Sequence, residues 1–386
     1  MTDSSKTEKT PSTRVLVIGG FLGAGKTTTI LAAARKILAD GGRLGIVTND
    51  QGVDLVDTNF LAHEGFSVVD VTGGCFCCNY NEFASKLRAL ELSEKPDIVI
   101  AEPVGSCTDL IATIFRPLAG DPTFSLKLAP LTVLADPRRV EKLIVEERGT
   151  LPPTEINYLF RTQLDEADII VLNKIDTVAA DRRAELIAFL ERAFPGRPVI
   201  SISATTGESF DEWFSLATSG LAALDGGSAP VEYDTYAAAE AALGWLNAAG
   251  TVEFSRPTDA NEFLAAIAED IRDSFAADQV EIAHLKAYIV SDTGAAKLSL
   301  VATDAPVEFS SRLAGPVTTA ALVINARAVE EPDRLRAVVE GIVESELAAR
   351  NATCDNFTLD SFSPAYPRPV HRIMRSISAE PGTRNV

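Results

Sequence analysis

The stretch GFLGAGKT, residues 20–27, decides the fold of the first half of this 386-residue chain. An apolar run at residues 15–18 precedes it, and a helical pattern at residues 27–39 follows it. The stretch fits the pattern G-x-x-x-x-G-K-[ST], in which glycines let backbone N–H groups point at phosphates. Because the flanking strand and helix are also expected, the sequence predicts a P-loop domain that binds a nucleotide.

Several residues of this loop are candidate nucleotide ligands. The Lys26 ammonium supplies a positive charge for the β- and γ-phosphates, and the Thr27 hydroxyl can bind Mg²⁺. Both are therefore also candidate catalytic residues. The full candidate set in the loop is Gly20, Gly23, Ala24, Gly25, Lys26, Thr27 and Thr28.

Short apolar runs recur along the first 220 residues, with helical patterns between many of them. The runs lie at residues 44–47, 67–71, 97–101, 131–134, 168–172 and 198–202, and clear helical patterns lie at 81–92 and 182–193. Strands that alternate with helices predict an α/β domain with a mostly parallel sheet.

A cluster of Gly, Ser and Pro at residues 224–230 predicts a boundary. Beyond it, helical patterns at 259–275 and 331–349 lie among strand patterns at 244–254, 282–290, 296–302 and 319–324. This arrangement predicts a smaller α+β domain, which could be ferredoxin-like. The expected division is a disordered tail at 1–12, a P-loop domain at 13–223, a linker at 224–231, an α+β domain at 232–372 and a mobile tail at 373–386.

The base is indicated by Asn173-Lys174-Ile175-Asp176, which directly follows an apolar run. A carboxylate at Asp176 can accept hydrogen bonds from two N–H groups of guanine, whereas adenine has no such donor pair on that edge. Ser203 and Ala204, after the next predicted strand, would support the guanine carbonyl. The alternatives are a strand-end turn, or a P-loop kinase or ATP-driven protein in which the motif is coincidental.

The composition excludes several classes of partner. With 35 Lys+Arg and 54 Asp+Glu, the net charge is −19, which repels nucleic-acid phosphates and anionic lipids. No apolar stretch approaches the ~20 residues that span a membrane, and residues 1–12 are polar rather than a secretory signal. We therefore expect a cytoplasmic protein that binds neither nucleic acid nor membrane.

Three of the five cysteines, Cys75, Cys77 and Cys78, lie within four positions. Thiolates so close in one loop can converge on a borderline ion such as Zn²⁺. Three thiols also leave one coordination position open, which suits an ion that is handed on. The alternatives are a redox-active thiol set, or cysteines with a structural role only.

Over residues 14–221, the P-loop, the Gly-x-Cys-x-Cys-Cys motif and Asn-Lys-x-Asp resemble, in this order, the CobW-type GTPases. That family of metallochaperones and metalloenzyme activators shares its class with UreG and HypB. The resemblance implies that the protein binds GTP with Mg²⁺ and a transition metal, zinc or cobalt. It also implies slow GTP hydrolysis coupled to metal delivery to a client metalloenzyme.

Two further motifs are carried over from this resemblance. Glu102, in Glu-Pro-Val-Gly, stands for the family's carboxylate near Mg²⁺ and is a candidate catalytic residue. Asp50 stands where the family has glutamate, one methylene longer, as a candidate Mg²⁺ ligand. Cys107 is a candidate fourth ligand of the transition metal, or else a buried apolar residue.

Three other interpretations stay open at this stage. The chain could be a regulatory GTPase with structural cysteines, or a P-loop ATPase or kinase. The cargo could also be a corrinoid, or a cofactor for an enzyme resembling nitrile hydratase. If the three thiols bind a metal, two copies of the chain could share that site in a homodimer.

Overall fold

The computed structural model describes residues 13–49, 61, 66–72, 74–150, 152–224 and 231–374. The amino-terminal tail, Asp50, most of the predicted linker and the last twelve residues lie outside these ranges. Within the described residues, the strands form two separate sheets. No helix in these ranges combines the length and the apolar composition needed to cross a membrane.

The first sheet is parallel, as the alternating pattern predicts. Its strand order is β3-β2-β4-β1-β6-β7-β8, with the short β5 also paired to β1, and every pairing is parallel. The strands are β1 (Arg14–Gly20), β2 (Leu44–Asn49), β3 (Val68–Val71), β4 (Ile98–Glu102), β5 (Lys127–Leu128), β6 (Thr132–Ala135), β7 (Ile169–Leu172) and β8 (Val199–Ser201).

Helices cover both faces of this sheet, so its central strands are buried and read as continuous apolar runs. A π-helical turn at Ile111–Phe115 leads into α3, and a 3-10 turn occupies Ile175–Thr177. The helices are α1 (Lys26–Ala39), α2 (Tyr80–Ser93), α3 (Arg116–Gly120), α4 (Pro137–Glu147), α5 (Glu155–Glu166), α6 (Ala180–Ala193), α7 (Phe210–Ser219) and α8 (Tyr233–Ala241).

The second sheet is antiparallel, with the order β12-β11-β10-β13-β9-β14. Without the hairpin β11–β12, its chain order is the β-α-β-β-α-β of ferredoxin-like folds, which agrees with the predicted smaller α+β unit. Its elements are β9 (Gly244–Thr258), α9 (Ala260–Ala277), β10 (Ile282–Ser291), β11 (Gly294–Leu300), β12 (Glu308–Ser311), β13 (Val317–Ala328), α10 (Pro332–Ala349) and β14 (Ala352–Phe362).

The second sheet docks against the end of the first at which the P-loop lies. Arg139 of α4 is 3% exposed, and its guanidinium donates to Glu281 Oε1 at 2.7 Å and to the Val301 carbonyl at 3.0 Å. Gly23 of the P-loop lies so close to Val301 that a Cβ on Gly23 would come within 2.6 Å of a Val301 methyl group. The P-loop therefore packs directly against the segment that follows β11 of the second sheet.

Helix α8 belongs to the first hydrophobic core, although it follows the predicted boundary. Tyr236 and Ala239 of this helix, and Leu243 just after it, are buried in the same cluster as Val17 and Phe160 of the parallel-sheet unit. The helix is rich in alanine, so its sequence gives little indication of which core it joins.

Candidate functional site

The P-loop connects β1 to α1 through three glycines with positive φ angles. Gly25 has φ +91°, and a Cβ there would lie 2.4 Å from the Asn173 side-chain nitrogen. Only glycine allows both this backbone conformation and this close approach. The Lys26 ammonium donates to the Gly20 carbonyl at 2.9 Å, so its charged end lies folded against the loop.

Asn173 connects the P-loop to the guanine motif. Its side-chain amide donates to the Ala24 carbonyl at 2.9 Å, and its Oδ1 accepts from the Ala204 backbone N–H at 3.1 Å. The first residue of Asn-Lys-x-Asp thus connects two loops through its side chain. The following residues Lys174 and Asp176 line a cavity beside the P-loop. Ser203 is buried, and its hydroxyl oxygen accepts from the Thr206 N–H at 3.0 Å, which orders the loop that carries Ala204.

Lys174 and Asp176 both belong to the lining of this cavity. Lys174 has φ 58°, and its ammonium pairs with Asp136 Oδ2 at 2.9 Å. Asp136 also caps α4, because its Oδ1 accepts from the Arg138 N–H at 2.9 Å. Asp176 lies on the 3-10 turn with an exposed side chain, where its carboxylate is accessible to a ligand.

A cavity of about 340 Å³ brings most of the predicted nucleotide ligands together, although Gly20, Ala24, Asn173 and Ser203 do not line it. Its lining includes residues of the P-loop, of the guanine motif and of the second sheet. From the first unit these are Gly23, Gly25, Lys26, Thr27, Thr28, Glu102, Lys174, Asp176 and Ala204. A smaller adjoining cavity of about 40 Å³ is lined by Lys26, Asn49 and Glu102, among others.

The predicted Mg²⁺ ligands are only partly described. Thr27 and Glu102 are both buried and both line the larger cavity, so two oxygen donors suited to Mg²⁺ face one space. Asp50 lies outside the described residues. The assignment of Thr27, Asp50 and Glu102 to Mg²⁺ therefore stays a prediction.

The cysteine loop follows β3, and it does bring the three thiols together. The sulfur atoms of Cys75, Cys77 and Cys78 all lie within 4.8 Å of one another. Cys75 and Cys77 are 2.8 Å apart, and Cys77 and Cys78 are 3.9 Å apart. Cys107 arrives from the loop after β4 and is buried near Cys75. Cys354 is the remaining cysteine, and it lies on β14.

Interactions among these thiols shift their pKa values in opposite directions. Bonds from Cys107, Cys77 and Cys78 hold the pKa of Cys75 well below its ordinary value. The bond to Cys75 raises the pKa values of Cys77 and Cys107 well above theirs, and that of Cys78 to about 11. Cys75 is therefore the thiol of this group that loses its proton most readily, and a cation that binds all of them must release the remaining protons.

Asn49, the last residue of β2, links this loop to the nucleotide side. Its side-chain amide donates to the carbonyls of Val71 and Gly74, both at 2.8 Å. Its Oδ1 accepts from the Phe76 N–H at 2.8 Å. Because Asn49 also lines the smaller cavity with Lys26 and Glu102, one residue borders both sites.

The carboxyl-terminal segment, residues 363–374, returns across the cysteine loop. The Val370 N–H donates to the Cys77 carbonyl at 2.9 Å, and the Arg368 N–H donates to the Cys78 sulfur at 3.3 Å. The His371 ring packs edge-on against Tyr80, with 4.7 Å between centroids. Arg372 then pairs with the buried carboxylate of Asp109 at 2.7 Å. This segment covers part of the thiol cluster.

Replacing Arg372 with alanine is expected to speed thiol labelling of the cysteine loop about tenfold, because losing one partner of a pair with a buried charge destabilises the segment locally. The measurement is the rate of maleimide labelling after chelator treatment, read by mass spectrometry of the cysteine peptide. Arg368→Ala is the matched control, since only the backbone of Arg368 contacts the cluster and its side chain is exposed. Equal rates for the three proteins would contradict the covering role.

Glu240 is a buried acid near the cluster that no sequence motif marks. It lies on α8, 3% exposed, and accepts from the Ser106 hydroxyl at 2.6 Å. Burial, together with a smaller contribution from Cys75, raises its pKa to about 8, even though the hydrogen bond from Ser106 acts in the opposite direction. A lone glutamate within an alanine-rich helix is the only signal that the sequence carries for it.

Comparisons with known proteins agree with these motifs. The model of the "CobW/HypB/UreG, nucleotide-binding domain" family matches residues 14–201. A zinc chaperone CobW of Sinorhizobium is 34% identical over 45% of this chain and 52% of its own length. A zinc chaperone YeiR of Escherichia coli K12 is 33% identical over 45% of this chain and 50% of its own.

A third relative covers the nucleotide-binding unit more fully. The urease accessory protein UreG of Metallosphaera sedula is 30% identical over 50% of this chain and 87% of its own length. By contrast, the matched region spans only about half the length of the two zinc chaperones.

Proposed function

Because the chain belongs to the CobW/HypB/UreG family of nucleotide-binding proteins, we propose that it is a GTP-dependent metallochaperone whose cargo is zinc. The zinc would be held by the cysteine loop and released to a client metalloenzyme when GTP is hydrolysed. Two relatives that carry the name zinc chaperone support zinc over cobalt as the cargo.

The nucleotide half of the proposal rests on the residues that face the larger cavity. Backbone N–H groups of the P-loop and the Lys26 ammonium would bind the phosphates, and Asp176 would bind the guanine edge. Thr27 and Glu102 would hold Mg²⁺, whose charge stabilises the phosphoryl oxygens when it is bound. The reaction is attack of water on the γ-phosphate, which gives GDP and inorganic phosphate.

The metal half rests on how well the thiols fit zinc. Sulfurs bound at about 2.3 Å around a tetrahedral Zn²⁺ ion lie about 3.8 Å apart. The separation of the Cys77 and Cys78 sulfurs, 3.9 Å, matches this value, whereas the Cys75 and Cys77 sulfurs must separate from 2.8 Å. Cys107, buried near these thiols, would be the fourth ligand, and its departure would open a position for the client.

The observation that carries the proposal is the position of Asn49. Its three hydrogen bonds fix the backbone of the cysteine loop, and it lies in the cavity beside Lys26 and Glu102. A change at the γ-phosphate end that shifts β2 must therefore also shift the thiols. The loop from Glu102 to Cys107 gives a second connection between the same two sites.

We assign the two roles to two units. Residues 13–223, against which helix α8 packs, would form the GTPase unit, and the remainder of residues 232–372 would form the unit that recognises the client.

If the proposal is right, zinc affinity should differ about tenfold or more between the complex with a non-hydrolysable GTP analogue and the GDP complex. By linkage, zinc must change the affinity for the analogue, relative to GDP, by the same factor. Both affinities can be measured with a chromophoric zinc competitor and a fluorescent nucleotide. Equal zinc affinity in the two complexes would favour a regulatory GTPase with structural cysteines.

Asn49→Ala tests whether this side chain carries the coupling. The variant should bring the two zinc affinities within about twofold of each other, while each ligand still binds. Asn79→Ala is the matched control, because Asn79 bonds the Thr72 carbonyl in the same loop but does not line either nucleotide cavity. If Asn49→Ala kept the full difference, the coupling would run through another path.

A further inference from the structure

The two faces of the second sheet differ in chemistry. Along β10, Leu285, Ala287 and Ile289 face the second hydrophobic core, which α9 and α10 cover. The alternate positions His284 and Lys286 face the first unit, as strand periodicity requires. Register places Lys286 opposite Ser299 of β11, and Lys297 opposite Tyr288. The face without helices therefore carries cationic side chains toward the nucleotide site.

These side chains line the nucleotide cavity itself. His284, Lys286 and Lys297 border the 340 Å³ cavity together with the P-loop and the guanine motif. His284 and Lys286 also border the smaller cavity beside Glu102, whereas Lys297 does not. The second sheet thus forms one wall of the space in which a nucleotide would lie.

The charges on this wall contrast with the rest of the chain. The protein has 54 acidic against 35 basic residues, yet this wall has two lysines and one histidine against one carboxylate, Glu308. Lys297 and His284 are only 6% and 5% exposed. The ammonium and imidazole groups at this wall can donate hydrogen bonds to an anionic ligand in the cavity. Lysine is a common phosphate binder.

Position along the cavity separates the two lysines. Lys26 and Glu102 mark the end where the γ-phosphate and Mg²⁺ are expected, and Lys286 lies in the cavity shared with both. Lys297 borders only the larger cavity, which the α- and β-phosphates and the nucleoside would share. The two lysines therefore reach different parts of a bound nucleotide.

We propose that the second sheet completes the nucleotide site, with Lys286 as a ligand of the γ-phosphate and Lys297 as a ligand of the remaining nucleotide. Contact between the two units then depends on whether GTP or GDP is bound. This inference rests on the proposed GTP binding and adds a specific residue that distinguishes the two nucleotides.

The test is equilibrium titration of the full chain with fluorescent GDP and with a fluorescent non-hydrolysable GTP analogue. Lys286→Met should weaken the analogue about 10- to 100-fold, as expected for a lost charge-assisted hydrogen bond, and should change GDP affinity less than about threefold. Lys286→Arg keeps the charge and should stay within about threefold of wild type for both. Lys297→Met should weaken both nucleotides by similar factors.

Arg336→Gln is the control, because it removes a positive charge from α10, on the opposite face of the same sheet, and leaves the cavity unchanged. Lys286→Met with unchanged analogue affinity would overturn this inference. It would leave the proposed function standing if Lys26→Ala still abolished binding. If the wild-type protein bound neither nucleotide, the proposed function itself would fail.

Discussion

Replacing Cys75, Cys77 and Cys78 together with serine is expected to weaken zinc binding at least about a thousandfold. Cysteine thiolates supply most of the binding free energy of sulfur-ligated zinc, which reaches about 10–16 kcal/mol in structural sites. A serine hydroxyl stays protonated at neutral pH and is a harder, weaker ligand for zinc. The triple variant therefore loses three of the four candidate ligands at once.

The measurement is competition with a chromophoric zinc chelator under reducing, anaerobic conditions. Cys354→Ser is the matched control, because that cysteine lies on β14, and it should bind zinc as the wild-type protein does. Cys107→Ser alone should weaken zinc about tenfold or more if Cys107 is the fourth ligand. A triple variant whose zinc affinity is within tenfold of that of the wild-type protein would show that the cysteines are structural. It would contradict the proposal that the cysteine loop carries zinc.

The parallel sheet was predictable because its signals are local. Its central strands are buried on both faces, so each reads as an apolar run whose ends lie within a few residues of the observed strand. Strands β12 and β14 were missed because they lie at the edges of the second sheet. Along β14, half-buried and exposed residues are interspersed, which leaves no apolar run to detect.

The candidate site also contains residues that were predictable from local sequence and residues that were not. The P-loop, the guanine motif and the cysteine loop are each contiguous in sequence, so the residue types and spacing reveal them. Glu240, Arg372 and Lys286 reach the site from distant parts of the chain, and no local pattern marks them. Their contacts, such as Arg372 with Asp109, join residues 263 positions apart. Only the packing of the chain brings such residues to the site.

Asp176→Asn is expected to weaken GTP binding about 100-fold or more, because the carboxylate of Asp176 is expected to accept two hydrogen bonds from the guanine edge. Each charge-assisted hydrogen bond contributes about 1.5–3 kcal/mol. The side-chain amide of the variant would place an N–H group against an N–H group of guanine, so at least one of these hydrogen bonds is lost. Phosphate binding by the P-loop is separate, so the variant should still fold and keep residual affinity for triphosphates.

The same substitution should improve binding of xanthosine triphosphate relative to GTP. Xanthine carries a carbonyl where guanine carries its exocyclic amine, and the side-chain amide that Asp176→Asn introduces could donate to that carbonyl. Competition against a fluorescent GTP analogue measures all the affinities, including that of ATP for the wild-type protein. Asp181→Asn, an exposed acid in the first turn of α6, is the matched control and should change nothing. Equal affinity of the wild-type protein for ATP and GTP would instead favour an ATP-dependent protein, because Asp176 would then not be reading the base.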